Sequence, residues 1–328
     1  MNERLMSIID AAHGRDERAL ARLISHVEDR NPHWKDAMKA IYPKTGRTCV
    51  IGVTGSPGAG KSTLVGEFAK RLADLGHTIG IIAVDPSSPF SGGALLGDRI
   101  RMRDISTHEN IFIRSMATRG MLGGLCQAAR DVVRIMDFAG RDVVIIETVG
   151  VGQDEIEVVS ASDFVMLVTF PGQGDGIQAI KAGVMEIADL FVVNKCDRAG
   201  ADIMEAEIRA MLDLSGDTNR AVPPVVRTSS VTKEGMEDLL GLISTFIRRK
   251  ENDPLHQKEQ VRQEILSILE MEIAGLIRKR IMGNGNMDRE LDLILSGRSD
   301  PYSAADALIE RFTGMKTPGK KQKEAFNE

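Results

Sequence analysis

The sequence predicts an α/β fold with a mostly parallel central sheet, a helical N-terminal extension and a helical C-terminal dimerisation arm. Three observations support this class. Short, unbroken apolar runs alternate with helix-compatible segments between residues 48 and 250, which is typical of a parallel sheet covered on both faces. A glycine-rich motif follows the first run. The strand signal stops at Pro254, and only helical patterns follow it.

The apolar runs and the segments around them divide the chain into three predicted regions. The predicted strands are Cys49–Val53, Ile79–Val84, Ile111–Ile113, Val143–Ile146, Phe164–Val168, Leu190–Val193 and Val225–Val226. They belong to a predicted nucleotide-binding domain at 46–250, which follows a helical extension at 1–45. In the arm at 251–328, apolar spacing predicts one long helix at 255–282 and shorter helices at 288–296 and 302–313.

Composition limits the class of protein. The 328 residues are 42% hydrophobic and 27% charged, which is ordinary for a globular protein. The formal net charge of -5 argues against nucleic-acid binding driven by bulk charge. No apolar run is long enough to predict a membrane span. Because Cys49, Cys126 and Cys196 show no pairing pattern, we expect reduced thiols in a cytoplasmic protein.

The glycine-rich motif matches G-x-x-x-x-G-K-[ST] between a predicted strand and a predicted helix, which is the context of a P-loop NTPase. Its glycines allow backbone N–H groups to surround a phosphate. Lys61 is expected to reach the β- and γ-phosphates, and the Ser62 hydroxyl to ligate Mg²⁺. The predicted phosphate-binding residues are Gly55, Ser56, Pro57, Gly58, Ala59, Gly60, Lys61, Ser62 and Thr63.

Two aspartates after the second strand are candidate magnesium contacts. Asp85 ends that strand, where it could orient metal-bound water or the attacking water. An Asp-Pro pair is also a common way to open a turn. Asp98 is the second candidate, and a helix N-cap is its alternative role.

Arg114 and Arg119 lie near the end of the third predicted strand. Each could be a surface charge, pair with a carboxylate of this chain, or contact an acidic group of a partner. The residues alone leave these alternatives open.

The fourth strand has the form of a Walker B strand that leads into a switch. Four apolar residues end in Glu147, which would hold Mg²⁺ through water, and the backbone N–H of Gly150 could contact the γ-phosphate. Val151 stands where Ras-like GTPases carry a water-orienting Gln. We therefore expect intrinsic hydrolysis to be slow, or to use Asp85, Gln153 or a partner's group in place of that glutamine. The candidate catalytic residues are Lys61, Asp85, Glu147 and Gln153.

A second nucleotide motif, Asn-Lys-x-Asp, follows the sixth strand at Asn194, Lys195 and Asp197. A carboxylate at Asp197 can accept from both N1–H and the 2-amino group of guanine. Adenine lacks this pair of donors and would leave the carboxylate unpaired. The loop after the seventh strand is expected to contact guanine O6 through backbone N–H groups. Its residues are Ser229, Ser230 and Val231.

Taken together, these motifs resemble those of the MeaB/ArgK/MMAA GTPases, which are SIMIBI-class P-loop proteins of the G3E type. The similarity extends over the whole predicted nucleotide domain, and both helical extensions fit it. The matching segments are 57–63, 84–90, 97–98, 115–120, 147–153 and 186–197.

The resemblance implies a homodimeric GTPase that uses GTP, GDP and Mg²⁺. It would act as a chaperone of adenosylcobalamin-dependent methylmalonyl-CoA mutase, or a related mutase, and gate delivery of the cofactor. An adenosyltransferase is a further candidate partner; neither nucleic acid nor a membrane is expected. The family's signalling loop corresponds to 172–181, where Gly176-Ile177 replaces its usual Glu-Leu. The family's magnesium contacts correspond to Ser62, Asp85, Asp98 and Glu147.

Two other functions share the same fold class. A metallochaperone GTPase of the nickel-insertion type usually carries His-rich or Cys-rich stretches, and the sequence has none. A P-loop kinase that phosphorylates a protein or an amino acid is the other alternative. The Asn-Lys-x-Asp motif argues against it because that motif selects guanine.

Overall fold

The computed structural model describes most of the chain outside several loops and the C-terminal tail. The described residues are 2–85, 105, 107–117, 124–148, 162–172, 187–214, 222–250, 254–282 and 285–314. Asp98, Gly150, Val151 and Gln153 therefore lie outside the described residues, as does most of the predicted signalling loop.

A seven-stranded, entirely parallel sheet lies at the centre of the fold. Its order is β3-β2-β4-β1-β5-β6-β7, with β1 in the middle. Each predicted apolar run forms one strand, which confirms the predicted α/β class. The strands are β1 Cys49–Gly55, β2 Ile79–Asp85, β3 Ile111–Ala117, β4 Val143–Thr148, β5 Phe164–Thr169, β6 Leu190–Val193 and β7 Val225–Arg227.

Helices cover both faces of the sheet, because successive strand side chains point to opposite sides. On one face, Ile51 and its neighbours pack against α4 (Lys61–Asp74) and α7 (Met236–Lys250). On the other face, Val50 and its neighbours pack against α5 (Gly124–Phe138). The helix α6 (Ala201–Leu214) covers β6 and β7 on that same face. Strands buried on both faces explain the unbroken apolar runs.

The N-terminal extension is a helical layer on α5. It contains α1 (Glu3–His13), α2 (Glu17–Glu28), α3 (Trp34–Ile41) and one 3-10 turn (Tyr42–Lys44). Leucine, isoleucine and valine side chains spaced three and four residues apart on α2 are buried in the core that contains α5. The extension thus continues the core of the nucleotide domain.

Arg114 of β3 pairs with this helical layer. Its guanidinium donates to Glu28 and to the Ser25 hydroxyl of α2. Arg30, just after α2, pairs with Asp131 of α5 at 2.8 Å and covers the ring of Trp34. Of the three alternatives for Arg114, the structure therefore shows a pair with a carboxylate of this chain. Arg119 lies outside the described residues.

Three helices lie in the described part of the C-terminal region. They are α8 (Pro254–Met282), α9 (Asn286–Leu295) and α10 (Pro301–Thr313). Their bounds lie within two residues of the predicted ones. By its internal contacts the chain forms two compact units, Met1–Gln260 and Val261–Glu328. Over the ranges given above, every helix is too short or too polar to cross a membrane.

Candidate functional site

The candidate site lies where β1, β4 and β6 end, at the carboxyl edge of the sheet. Ligands of open α/β sheets bind at this edge. Loops that follow β1, β6 and β7 meet there through side-chain hydrogen bonds, and the loop after β5 joins them through a cation–π contact. The residues that make these bonds were predicted mainly from two separate motifs.

Two glycines of the P-loop occupy positions that no other residue fits. Gly55 ends β1 with φ +138°, and a Cβ atom there would lie 1.9 Å from the Val168 carbonyl oxygen. Gly60 precedes α4 with φ +86°, and its Cβ would lie 2.7 Å from Asn194 Nδ2. Close approach and positive φ both require glycine. The loop can therefore pass close to β5 and to the guanine motif.

Lys61 is buried at the start of α4 and points back over the loop. Its Nζ donates to the carbonyl oxygens of Gly55, at 2.7 Å, and Ser56, at 3.1 Å. Within the same loop, Ala59 is buried, whereas Pro57 and Gly58 are exposed. A phosphate held by this loop would therefore meet a fixed ammonium group and the N-terminus of α4, both of which favour an anion.

Ser62 and Glu147 form the part of the predicted magnesium site that the structure describes. The Ser62 hydroxyl donates to Glu147 Oε1 at 2.6 Å, and Glu147 is 2% exposed. A hydroxyl and a carboxylate are the oxygen ligands that Mg²⁺ prefers, so these residues fit the ion. The backbone of Asp85 ends β2 two residues beyond Ala83, the register partner of Glu147. Asp85 thus lies on the same edge of the sheet.

Glu147→Gln should weaken the dependence of the site on magnesium. The glutamine can still accept from the Ser62 hydroxyl, but it loses the negative charge that favours the ion. We expect the Mg²⁺ concentration for half-maximal GTP turnover to rise by about tenfold, measured as phosphate release at varied Mg²⁺. The control is Glu109→Gln, which removes an exposed carboxylate elsewhere. An unchanged Mg²⁺ requirement would remove Glu147 from the metal site.

Asn194 connects three loops. Its side chain is 1% exposed, and Nδ2 donates to the Ala59 carbonyl of the P-loop at 2.8 Å. The Thr228 hydroxyl donates to Asn194 Oδ1 at 3.2 Å. The backbone N–H of Asn194 donates to the Thr169 carbonyl at the end of β5. Asn194 therefore holds the guanine motif at a fixed distance from the phosphate loop.

Lys195 makes the second bridge between the two motifs. Its Nζ donates to the Gly58 carbonyl at 2.6 Å and lies 4.4 Å from the centre of the Phe170 ring. Its backbone has φ +59°, which is uncommon for a residue with a side chain. Burial, followed by the charge of Arg198, lowers the pKa of Lys195, and Asp197 opposes this.

Asp197 is exposed at the outer end of the site and is oriented by Ser229. The Ser229 hydroxyl donates to Asp197 Oδ1 at 2.6 Å, and this hydrogen bond lowers the pKa of the carboxyl group. The same hydroxyl accepts from the N–H groups of Val231, at 3.3 Å, and Thr232, at 3.1 Å. The Ser230 hydroxyl lies 3.5 Å from Asn194 Oδ1. The carboxylate is therefore ionised and fixed at neutral pH.

Several residues of the site were not predicted. Phe170 stacks on Lys195, and Thr228 orients Asn194. The Thr148 hydroxyl, next to Glu147, donates to the Thr54 hydroxyl of β1 at 3.1 Å. A hydroxyl residue at or just after the end of an otherwise apolar strand was a signal in the sequence for all three threonines. The sequence offers no comparable signal for Phe170.

A family model described as methylmalonyl Co-A mutase-associated GTPase MeaB matches residues 20–285. A putative GTPase of Pyrococcus horikoshii is 46% identical over 306 residues, which are 91% of this chain and 95% of that protein. The mitochondrial methylmalonic aciduria type A homolog of Caenorhabditis elegans is 32% identical over 329 residues, 90% of this chain and 80% of that protein.

One solved structure and one further relative are also similar to this chain. The crystal structure of a LAO/AO transport system kinase superposes with a TM-score of 0.71 at 29% identity. The match covers 95% of this chain and 98% of that one. GTPase ArgK of Escherichia coli is 41% identical over 239 residues, 70% of this chain and 72% of that protein. The chain belongs to the family of methylmalonyl-CoA mutase-associated GTPases, MeaB.

Proposed function

We propose that this protein is a GTP-hydrolysing chaperone that binds methylmalonyl-CoA mutase, or a related acyl-CoA mutase. In this role it gates delivery of adenosylcobalamin and protects or reactivates the mutase. The main support is the family match over residues 20–285, together with a site in which the guanine motif contacts the phosphate loop directly. Asn194 reaches Ala59 and Lys195 reaches Gly58.

Guanine selectivity in this proposal comes from Asp197. Its fixed carboxylate offers two acceptor oxygens to the N1–H and 2-amino groups of guanine. Adenine would leave those acceptors unpaired, which is costly in a site built around them. Backbone N–H groups of the loop Ser229–Val231, whose Ser229 hydroxyl donates to this carboxylate, would contact O6.

The phosphate end of the site would hold the triphosphate and support its hydrolysis. Lys61 and the P-loop N–H groups would neutralise the phosphates, and Ser62 with Glu147, Asp85 and Asp98 would hold Mg²⁺. The metal, when bound, would offset charge on the phosphate oxygens. Gly150 would contact the γ-phosphate, and Asp85 or Gln153 would assist the water. Because Val151 replaces the water-orienting glutamine, we propose that intrinsic GTP hydrolysis is slow. We also propose a cytoplasmic location.

Binding of the chain to a purified methylmalonyl-CoA mutase tests this function. The affinity should differ between GDP and a non-hydrolysable GTP analogue, and ATP analogues should act like the absence of nucleotide. Isothermal titration in each condition measures both. The Lys61→Ala chain is the matched control, because it should lose the nucleotide effect. No binding to the mutase in any nucleotide state would contradict the proposed client.

We also propose that the chain is a homodimer held by α8. Large apolar side chains on this helix are exposed to solvent at spacings of three and four residues, which favours a partner helix. Those at this spacing are Val261, Ile265, Leu269, Ile273 and Leu276, and Leu266 and Ile268 of the same helix are exposed as well.

An adenosyltransferase would be a further partner in cofactor delivery.

Removing the C-terminal arm tests the dimer. A chain that ends at Lys250 lacks α8 and should elute as a monomer, whereas the full chain should elute as a dimer with twice its mass. Light scattering coupled to size exclusion measures both masses. As a control, a chain that ends at Gly314 keeps all three arm helices and should remain a dimer. A dimeric 1–250 chain would place the interface elsewhere.

A further inference from the structure

The last residue of β5 and the segment after it, residues 169–171, lie along the loop that carries the guanine motif. The Thr169 carbonyl accepts from the Asn194 N–H at 2.8 Å. At the other end, a Cβ at Gly200 would lie 3.7 Å from Pro171 Cβ. Between these contacts, the Phe170 ring faces the ammonium group of Lys195. Residues 169–171 are thus packed against the guanine loop.

Lys195 needs support because its backbone has φ +59°, and such a conformation persists only where the surroundings hold it. Two contacts hold its side chain. The Gly58 carbonyl accepts from Nζ at 2.6 Å, and the Phe170 ring lies 4.4 Å from Nζ. An ammonium group at this distance from a ring face is attracted by the ring's quadrupole.

The apolar core contacts the Phe170 ring and fixes its position. Its ring is half-buried and packs against the core between the sheet, α4 and α7. A ring fixed on one side by the core can act as a rigid surface for the cation on its other side. An aliphatic side chain of similar size would fill the core but would lack that attraction.

We propose that Phe170 is a positioning residue of the guanine-nucleotide site: its ring holds Lys195 against the Gly58 carbonyl. This contact keeps the guanine loop and the phosphate loop together before nucleotide binds. In this role Phe170 acts through Lys195. The inference rests on the proposed function in one respect, that the ligand is a guanine nucleotide.

A double-mutant cycle on the full chain tests this role, with GDP affinity in Mg²⁺ as the readout. We expect Phe170→Leu to weaken GDP by about three- to tenfold. Phe170→Tyr keeps the ring face and should stay within about twofold of the original affinity. In a Lys195→Met background, Phe170→Leu should have no further effect, because the cation is gone. A purely structural role would instead give the same loss in both backgrounds.

The outcomes that contradict the proposal are distinct. Phe170→Leu with unchanged affinity, an equal loss in the Lys195→Met background, or a tyrosine variant as weak as the leucine variant would each overturn it. If the unaltered chain binds no GDP, the proposed function fails together with this inference. If the unaltered chain binds GDP but the cycle shows no coupling, the inference alone fails.

A spectroscopic measurement keeps the test valid if Phe170→Leu does not fold. Phe170→Trp keeps an aromatic face and adds a fluorophore to a chain with only one tryptophan, Trp34. After subtraction of the Trp34 signal, the emission of the new indole should change when Lys195→Met is added. Identical emission with and without the Lys195 ammonium would contradict the contact.

Discussion

Replacing Asp197 with asparagine is expected to weaken GTP binding by at least about a hundredfold. In the proposed site the carboxylate would accept from two guanine donors, whereas an amide would present only one acceptor and would turn an N–H₂ group towards the other donor. The same amide should suit xanthine, whose 2-oxo group accepts where guanine donates. The variant should therefore prefer xanthosine triphosphate to GTP, measured by competition against a fluorescent guanine nucleotide.

The control for this exchange is Asp10→Asn, which removes an exposed carboxylate of α1 far along the chain from both motifs. It should leave all affinities unchanged. Since Ser229 can still donate to the amide oxygen at residue 197, the loop should keep its fold, and the thermal midpoint without nucleotide checks this. An unaltered preference for GTP over xanthosine triphosphate would remove Asp197 from the base site.

Lys61→Ala is expected to abolish tight binding of both GTP and GDP. Lys61 is buried, 6% exposed, and its ammonium group is already directed to the loop that would surround the phosphates. Hydrogen bonds in which one partner is charged are the strong ones, and the variant loses them all at this position. Titration with GDP and GTP should show affinities at least about a hundredfold weaker.

Lys70→Ala provides the matched control for the phosphate site. Lys70 lies on the same helix, α4, but is exposed. Its removal costs one positive charge and should leave nucleotide affinity within about twofold, because exposed charges are well screened. Retention of normal affinity in the Lys61→Ala chain, with normal thermal stability, would contradict the assignment of the P-loop.

Much of the fold was predictable because its strands are buried on both faces. Runs such as Val143–Ile146 must be continuously apolar, and so they stand out from the amphipathic helices between them. Some predicted strands end too early, because residues beyond the apolar run continue the strand. Glu147 and Thr148 extend β4, and Thr54 and Gly55 extend β1. Pairing with neighbouring strands decides these ends, and no local pattern reports it.

The candidate site was predictable where one residue type serves one chemical task. Gly60 and Asp197 are examples, because the phosphate-loop motif and the Asn-Lys-x-Asp motif allow few residue types at these positions. Their binding of phosphate and guanine stays a prediction. Contacts between loops were not predictable. Phe170 and Thr228 contact Lys195 and Asn194 across 25 and 34 residues of sequence, and only the parallel order of β5, β6 and β7 brings them together. The dimer, the client and the water-activating residue stay predictions.

We propose above all that one guanine nucleotide binds between Lys61 and Asp197. Isothermal titration of the unaltered chain with GDP and with ADP, each in Mg²⁺, tests it most directly. We predict one site per chain and a GDP affinity at least about a hundredfold above that for ADP. Equal affinities for the two nucleotides would contradict the claim.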